Sequence, residues 1–113
     1  MANGRVLTLA ATVRPDGRPH LSPTDFVAID GVFYLGVDKA TARYRNLRKN
    51  PAITIILADD SNRQAILEGK GLFLDMKCGT AKRVLEAQKK KYGWVTDALA
   101  EFQPVKAFTW KVK

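Results

Sequence analysis

"VFYLGVDKATARYRNLRKNPAITIILA", residues Val32 to Ala58, changes its hydrophobic period twice. Val32 to Val37 are mostly β-branched or aromatic, which reads as a strand. Ala40, Tyr44 and Leu47 then recur at i, i+4 and i+7, the spacing of a helix. Asp38 or Thr41 can cap its start. Asn50-Pro51 closes it, because the residue before a proline is pushed out of helical space. Ala52 to Ala58 returns to a buried-looking strand. The helix carries Arg43, Arg45, Arg48 and Lys49, with Lys39 just ahead of it, mostly off the apolar stripe. This basic run reads either as a solvated face or as a grip for an anion. A phosphate asks for helix N-terminal N–H groups, a hydroxyl and a cation. Thr41 offers the hydroxyl, and Arg43 offers a fork that can hold two oxygens at once. A pair of unit charges about 4 Å apart gains about 4 kcal/mol at an effective dielectric near 20.

On either side of this segment the pattern is that of an antiparallel meander. Val6 to Val13 reads as the first strand, and Asp16-Gly17 marks a turn. "HLSPTDFVAI", His20 to Ile29, reads as one second strand, with Pro23 marking an edge or bulge. Asp30-Gly31 turns the chain into Val32. "DDSN" is a polar loop, and Arg63 to Asp75 is a long strand bent near Gly69 and Gly71. A second helix spans "CGTAKRVLEAQKKKYG", with Thr80 as N-cap, Gly93 at its C-terminal end, and Val84, Leu85 and Tyr92 facing inward. "WVTDALAEF" is expected to hold a further helical turn. "PVKAFTWKVK" is the last strand, with Phe108, Trp110 and Val112 alternating. The expectation is six strands and two or three short helices, a small, mainly β antiparallel barrel formed by residues 1–113 as one domain.

Composition narrows the function. Of 113 residues, 46% are hydrophobic and 27% charged, as in ordinary globular chains. No apolar run approaches the roughly 18 residues of a membrane span. Nothing marks export, so a cytoplasmic location is expected. One cysteine, Cys78, excludes an intrachain disulfide and a cysteine-based metal site, and the single histidine, His20, argues against zinc. The net charge of +8 admits nucleic acid, an anionic surface or an anionic small molecule as partner, or a protein that is simply basic. Lys89 to Lys91 suit the end of a helix without any partner.

Two further features carry polar groups where a packing strand would be apolar. Ser22 and Thr24 flank Pro23, either facing solvent or addressing the edge of a flat heteroaromatic ring. Arg63 and Gln64 open a strand, and the amide of Gln64 suits a ring with carbonyls and ring nitrogens. His20 reads as a strand residue rather than an acid/base, and Trp94 and Trp110 as packing residues.

Taken in order, "HLSP", "FYLGV", "TARYRNLRKNP" and "RQAILEGKG" resemble the pyridoxamine 5′-phosphate oxidase-like family, the flavin-binding split barrels. The likeness runs from about Leu7 to Phe73, and more loosely to the final strand. It implies a six-stranded antiparallel split β-barrel that binds flavin mononucleotide (FMN) at a homodimer interface. It implies that Ser22, Pro23 and Thr24 line the isoalloxazine ring and that Tyr34 and Leu35 lie beside the cofactor. It implies that Thr41 and Arg43 hold the phosphate and that Gln64 contacts the flavin from the other subunit. Position 42 is Ala where the true oxidase has a second basic residue, and Lys39 is the residue expected to compensate. The chain stops at Lys113, without the C-terminal Arg/His segment that grips pyridoxine, so oxidation of vitamin B6 is not expected. Some relatives use a deazaflavin, bind haem, or have lost catalysis. The expected function is an FMN-dependent oxidoreductase with a small-molecule or protein redox partner. The alternatives are a deazaflavin-dependent reductase of the same fold and a basic barrel for single-stranded nucleic acid. The second of these is disfavoured because Phe26, Phe33, Tyr34 and Phe73 sit in apolar strand patterns.

Overall fold

A computed structural model describes residues 6–59 and 63–111. Residues 1–5, most of the "DDSN" loop and Val112 lie outside the described residues. The elements run β1 (Val6–Val13), β2 (Pro19–Pro23), β3 (Phe26–Ile29), β4 (Val32–Val37), α1 (Ala42–Lys49), β5 (Ala52–Asp59), β6 (Arg63–Phe73), α2 (Gly79–Tyr92) and β7 (Ala98–Lys111). All strand pairs are antiparallel, in the order β2-β1-β5-β6-β7-β4-β3.

The expected second strand is two strands, which makes seven rather than six. Pro23 has no N–H to continue a ladder. The N–H of the next residue, Thr24, still donates to the Thr8 carbonyl at 3.0 Å. Past Asp25 the chain leaves β1 and pairs with β4 instead. β2 and β3 are therefore the two opposite edges of the sheet, joined by Thr24 and Asp25 alone. Three Cα steps reach at most about 11 Å. Seven strands laid flat at about 4.8 Å spacing would hold their edges about 29 Å apart. The sheet must curl until its edges meet, which produces a split barrel. Asp30 (φ 53°) and Gly31 (φ 79°) form the two-residue, left-handed turn that joins β3 to β4, as the Asp-Gly pair predicts.

Two apolar clusters result. Ala10, Leu35, Val37, Leu47, Ile53, Ile55 and Phe102 fill one, with α1 contributing Leu47. Val27, Tyr34, Ala81, Val84 and Leu99 form the other, where α2 packs, with Leu85 and Tyr92 against it. α2 is capped by Cys78 rather than Thr80. Cys78 has the extended backbone of an N-cap, and its Sγ accepts from the Ala81 N–H at 3.4 Å. Gly93 ends the helix in the left-handed conformation as expected.

The helical turn expected in "WVTDALAEF" is absent. Residues 94–97 form a loop held by Gln88, which donates to Thr96 Oγ1 at 3.2 Å and accepts from the Thr96 N–H at 3.1 Å. Ala98 then opens β7, which lies between β6 and β4, so its apolar run is that of a central strand. The bend expected near Gly69 is a register shift at Glu68/Gly69, where β7 pairs Lys106 and then Pro104, skipping Val105. A Cβ at Gly69 would collide with the backbone carbonyl oxygen of Gln103. Gly69→Ala is therefore expected to cost about 2 kcal/mol or more. Urea unfolding measures it, and an unchanged midpoint would contradict the close approach.

Candidate functional site

Thr41 caps α1. Its backbone is extended (φ −91°, ψ 158°), its Oγ1 accepts from the Tyr44 N–H at 3.3 Å, and its hydroxyl donates to the Asp38 carbonyl at 2.7 Å. Asp38 itself serves the 94–97 loop, accepting from the Asp97 N–H at 3.3 Å. Once the cap is set, helical spacing turns Arg43, Asn46 and Leu47 toward the sheet. Leu47 enters the core. Asn46 is buried, and its Nδ2 donates to the buried Thr12 Oγ1 at 3.1 Å. Tyr44 packs on Phe73, with ring centroids 5.0 Å apart, and lies beneath the Arg48 guanidinium.

Arg43 reaches back to the split between β2 and β3. Nη2 donates to Ser22 Oγ at 2.6 Å and to the Pro23 carbonyl at 2.6 Å, and Nη1 donates to Thr24 Oγ1 at 2.9 Å. Three of the five guanidinium N–H groups are thus spent on the chain where it leaves one edge for the other. Nε is buried without a partner. Burial lowers the proton affinity of the guanidinium, and the charge of Asp25 partly offsets this.

A cleft of about 1000 Å³ adjoins this corner, between α1 and the β1–β2 turn. Its cations are Arg14, Lys39, Arg45, Arg48 and Lys49, and its carboxylate is Asp16. Asp16 is already engaged. It accepts from the backbone N–H of Arg18 at 3.0 Å and from Arg18 Nε at 2.9 Å, and these bonds hold its carboxyl below the usual range. The cleft is therefore strongly positive. His20 also lines it, half-buried, with Nδ1 buried and unpartnered.

Ser22, Pro23, Thr24 and Arg43 converge, with Thr41 as the cap that orients Arg43 and Lys39 on the cleft beside them. Lys39 also donates its backbone N–H to Asp97 Oδ1 at 2.7 Å. Tyr34 and Leu35 do not join them. Their side chains are buried in the α2-side cluster and in the α1-side cluster respectively. Gln64 lies on β6, opposite Ala58 and Trp110, three strands from Ser22. Asn46 and Arg14 are parts of the site that the sequence reading does not single out. A polar residue at the inward i+3 position from Arg43 was the available signal for Asn46.

A curled antiparallel sheet, split at one seam with a half-buried arginine at the end of β2, defines a split-barrel protein. The family model for pyridoxamine 5′-phosphate oxidase matches residues 3–111, and the chain belongs to that family. Among curated proteins, none matches. Solved structures share the fold. The conserved hypothetical protein Rv2991 from Mycobacterium tuberculosis is 22% identical, with a TM-score of 0.76 over 93% of this chain and 76% of that one. HutZ, the heme storage protein from Vibrio cholerae, is 21% identical, with a TM-score of 0.77 over 91% and 84%. An F420 reductase is 22% identical, with a TM-score of 0.72 over 91% and 89%. Among the described residues no helix is long and apolar enough to cross a membrane.

Asn46→Ala is expected to cost about 1–3 kcal/mol, because the buried Thr12 hydroxyl loses its partner. Arg45→Ala, on the exposed side of the same helix, should stay within about 0.5 kcal/mol of the parent. Equal losses for the two in chemical denaturation would contradict the way α1 is seated.

Proposed function

We propose that the chain is a flavin-dependent oxidoreductase that holds FMN at the Arg43 corner as a homodimer. The observation that carries this reading is the buried, unpartnered Nε of Arg43, inside a cluster drawn from the two segments expected to touch ring and phosphate. A buried donor left without a partner is costly, and a phosphate oxygen is a fitting acceptor for it. The residues fit the group. Arg43 would hold the phosphate, Lys39 and the neighbouring cleft cations would balance its charge, and Ser22 and Thr24 would fix the guanidinium and face the ring edge. The flavin supplies hydride or electron transfer at its own ring, and the chain supplies position and electrostatics.

The outward sheet face supports pairing. Pro23, Leu9, Ile56 and Ile66 are register partners across β2, β1, β5 and β6, and all remain partly or fully exposed. Leu21 lies on the same face and is 56% exposed. An apolar row of this kind marks an association surface. A second copy seated there would bring its own Gln64 near the seam.

Fresh protein is expected to be yellow, or to quench added FMN, and to sediment as a dimer. Arg43→Ala should weaken FMN binding by at least about tenfold, the loss of one charge-assisted contact. Ile56→Glu with Ile66→Glu should give monomers with weakened uptake. The F420 reductase among the structural neighbours makes a deazaflavin the ligand to test beside FMN. Mass spectrometry of the released ligand separates the two. A Soret band with no flavin, or no uptake of either, would overturn the reading.

A further inference from the structure

The outer stripe of α2 consists of Lys82, Arg83, Glu86, Lys89 and Lys90, all exposed, and Lys91 continues it. Arg83 is paired with Asp30 at 3.4 Å. The left-handed turn at Gly93 (φ 83°) sends the chain out of the helix. Trp94 and Val95 follow onto the surface, 45% and 51% exposed.

The indole is held in place. Trp94 stacks on Tyr92, with ring centroids 5.2 Å apart and planes 21° from parallel. The Tyr92 hydroxyl donates to the Phe26 carbonyl at 2.9 Å. Lys91 Nζ donates to the same oxygen at 3.1 Å and lies 4.7 Å from the Phe26 ring centroid. Phe26 opens β3 two residues beyond Thr24, within about 7 Å along an extended chain. An exposed tryptophan thus follows the lysine-rich end of α2, and its stacking partner Tyr92 is tied to the start of β3, the strand that follows Thr24.

We propose that this face docks a small acidic electron-carrier protein, with Trp94 as its anchor. The proposal rests on the redox reading above. Pre-ordered aromatic anchors bind with a small entropic loss, and tryptophan dominates interface energetics. The lysines complement an acidic surface and would steer its approach. A single strand of nucleic acid needs successive open rings. Here Tyr92 is covered by Trp94 and Phe26 by Lys91, which leaves one platform.

Fluorescence anisotropy of a dye-labelled acidic two-iron ferredoxin, titrated with the full chain, tests this. Binding is expected at about 20 mM salt, weakening at least about tenfold by about 200 mM. Lys89→Glu with Lys90→Glu should raise Kd at least about tenfold, and Trp94→Ala at least about fivefold, with FMN uptake unchanged. The proposal is overturned if ferredoxin does not bind or if both variants bind it as the parent does. It is also overturned if oligothymidylate or phosphatidylserine vesicles bind the chain more tightly than ferredoxin. Anisotropy needs no flavin, so a colourless protein would count against the redox reading and leave the docking result to be read separately.

Discussion

Thr24 and Asp25 alone connect the two edge strands of a seven-stranded sheet, and that short link dictates the rest of the molecule. The edges must approach each other, yet Pro23 cannot supply the N–H that would extend a ladder across the seam. A side chain from α1 instead secures the chain where it leaves β2. Arg43, carried by α1, donates to Ser22, Pro23 and Thr24, and so ties the helix to the turning point of the chain. A guanidinium drawn partly out of water is costly unless its N–H groups are met. Two hydroxyls and a carbonyl meet three of them.

The same arrangement supports the proposal that the seam takes a ligand. A packed barrel closes with apolar side chains. This one keeps hydroxyls, a half-buried cation and an unpartnered Nε at its split, and a positive cleft of about 1000 Å³ nearby. A buried polar group without a partner calls for an explanation, and a bound ligand is one that fits here. In the proposed reading the polar face of α1 serves the ligand and the apolar row across β2, β1, β5 and β6 serves a second copy of the chain.

Much of this was legible in the residues. The strand–helix–strand unit from Val32 to Asp59 has clear periods, a threonine cap and a proline stop, and it stands within a residue or two of where it was expected. Both Asp-Gly turns are present. What failed has physical causes. His20 to Ile29 looks continuous because each half is β-forming, and only the pairing partners reveal the break at Thr24 and Asp25. Ala98 to Phe102 is short and apolar but for Glu101, and periodicity alone cannot assign it to helix or strand. In the site, the basic run pointed to Arg43, but its burial depends on a strand twenty residues earlier. The side chains of Tyr34 and Leu35 pack in the two apolar clusters, a placement that the alternation along β4 already suggests.

The central claim is that Arg43, Ser22 and Thr24 act as one unit. A double-mutant cycle on folding stability, pairing Arg43→Met with Ser22→Ala plus Thr24→Val, tests it most directly. The account predicts a coupling of about 1–2 kcal/mol, because either change alone strands the other's polar groups. Additivity within about 0.5 kcal/mol would contradict it.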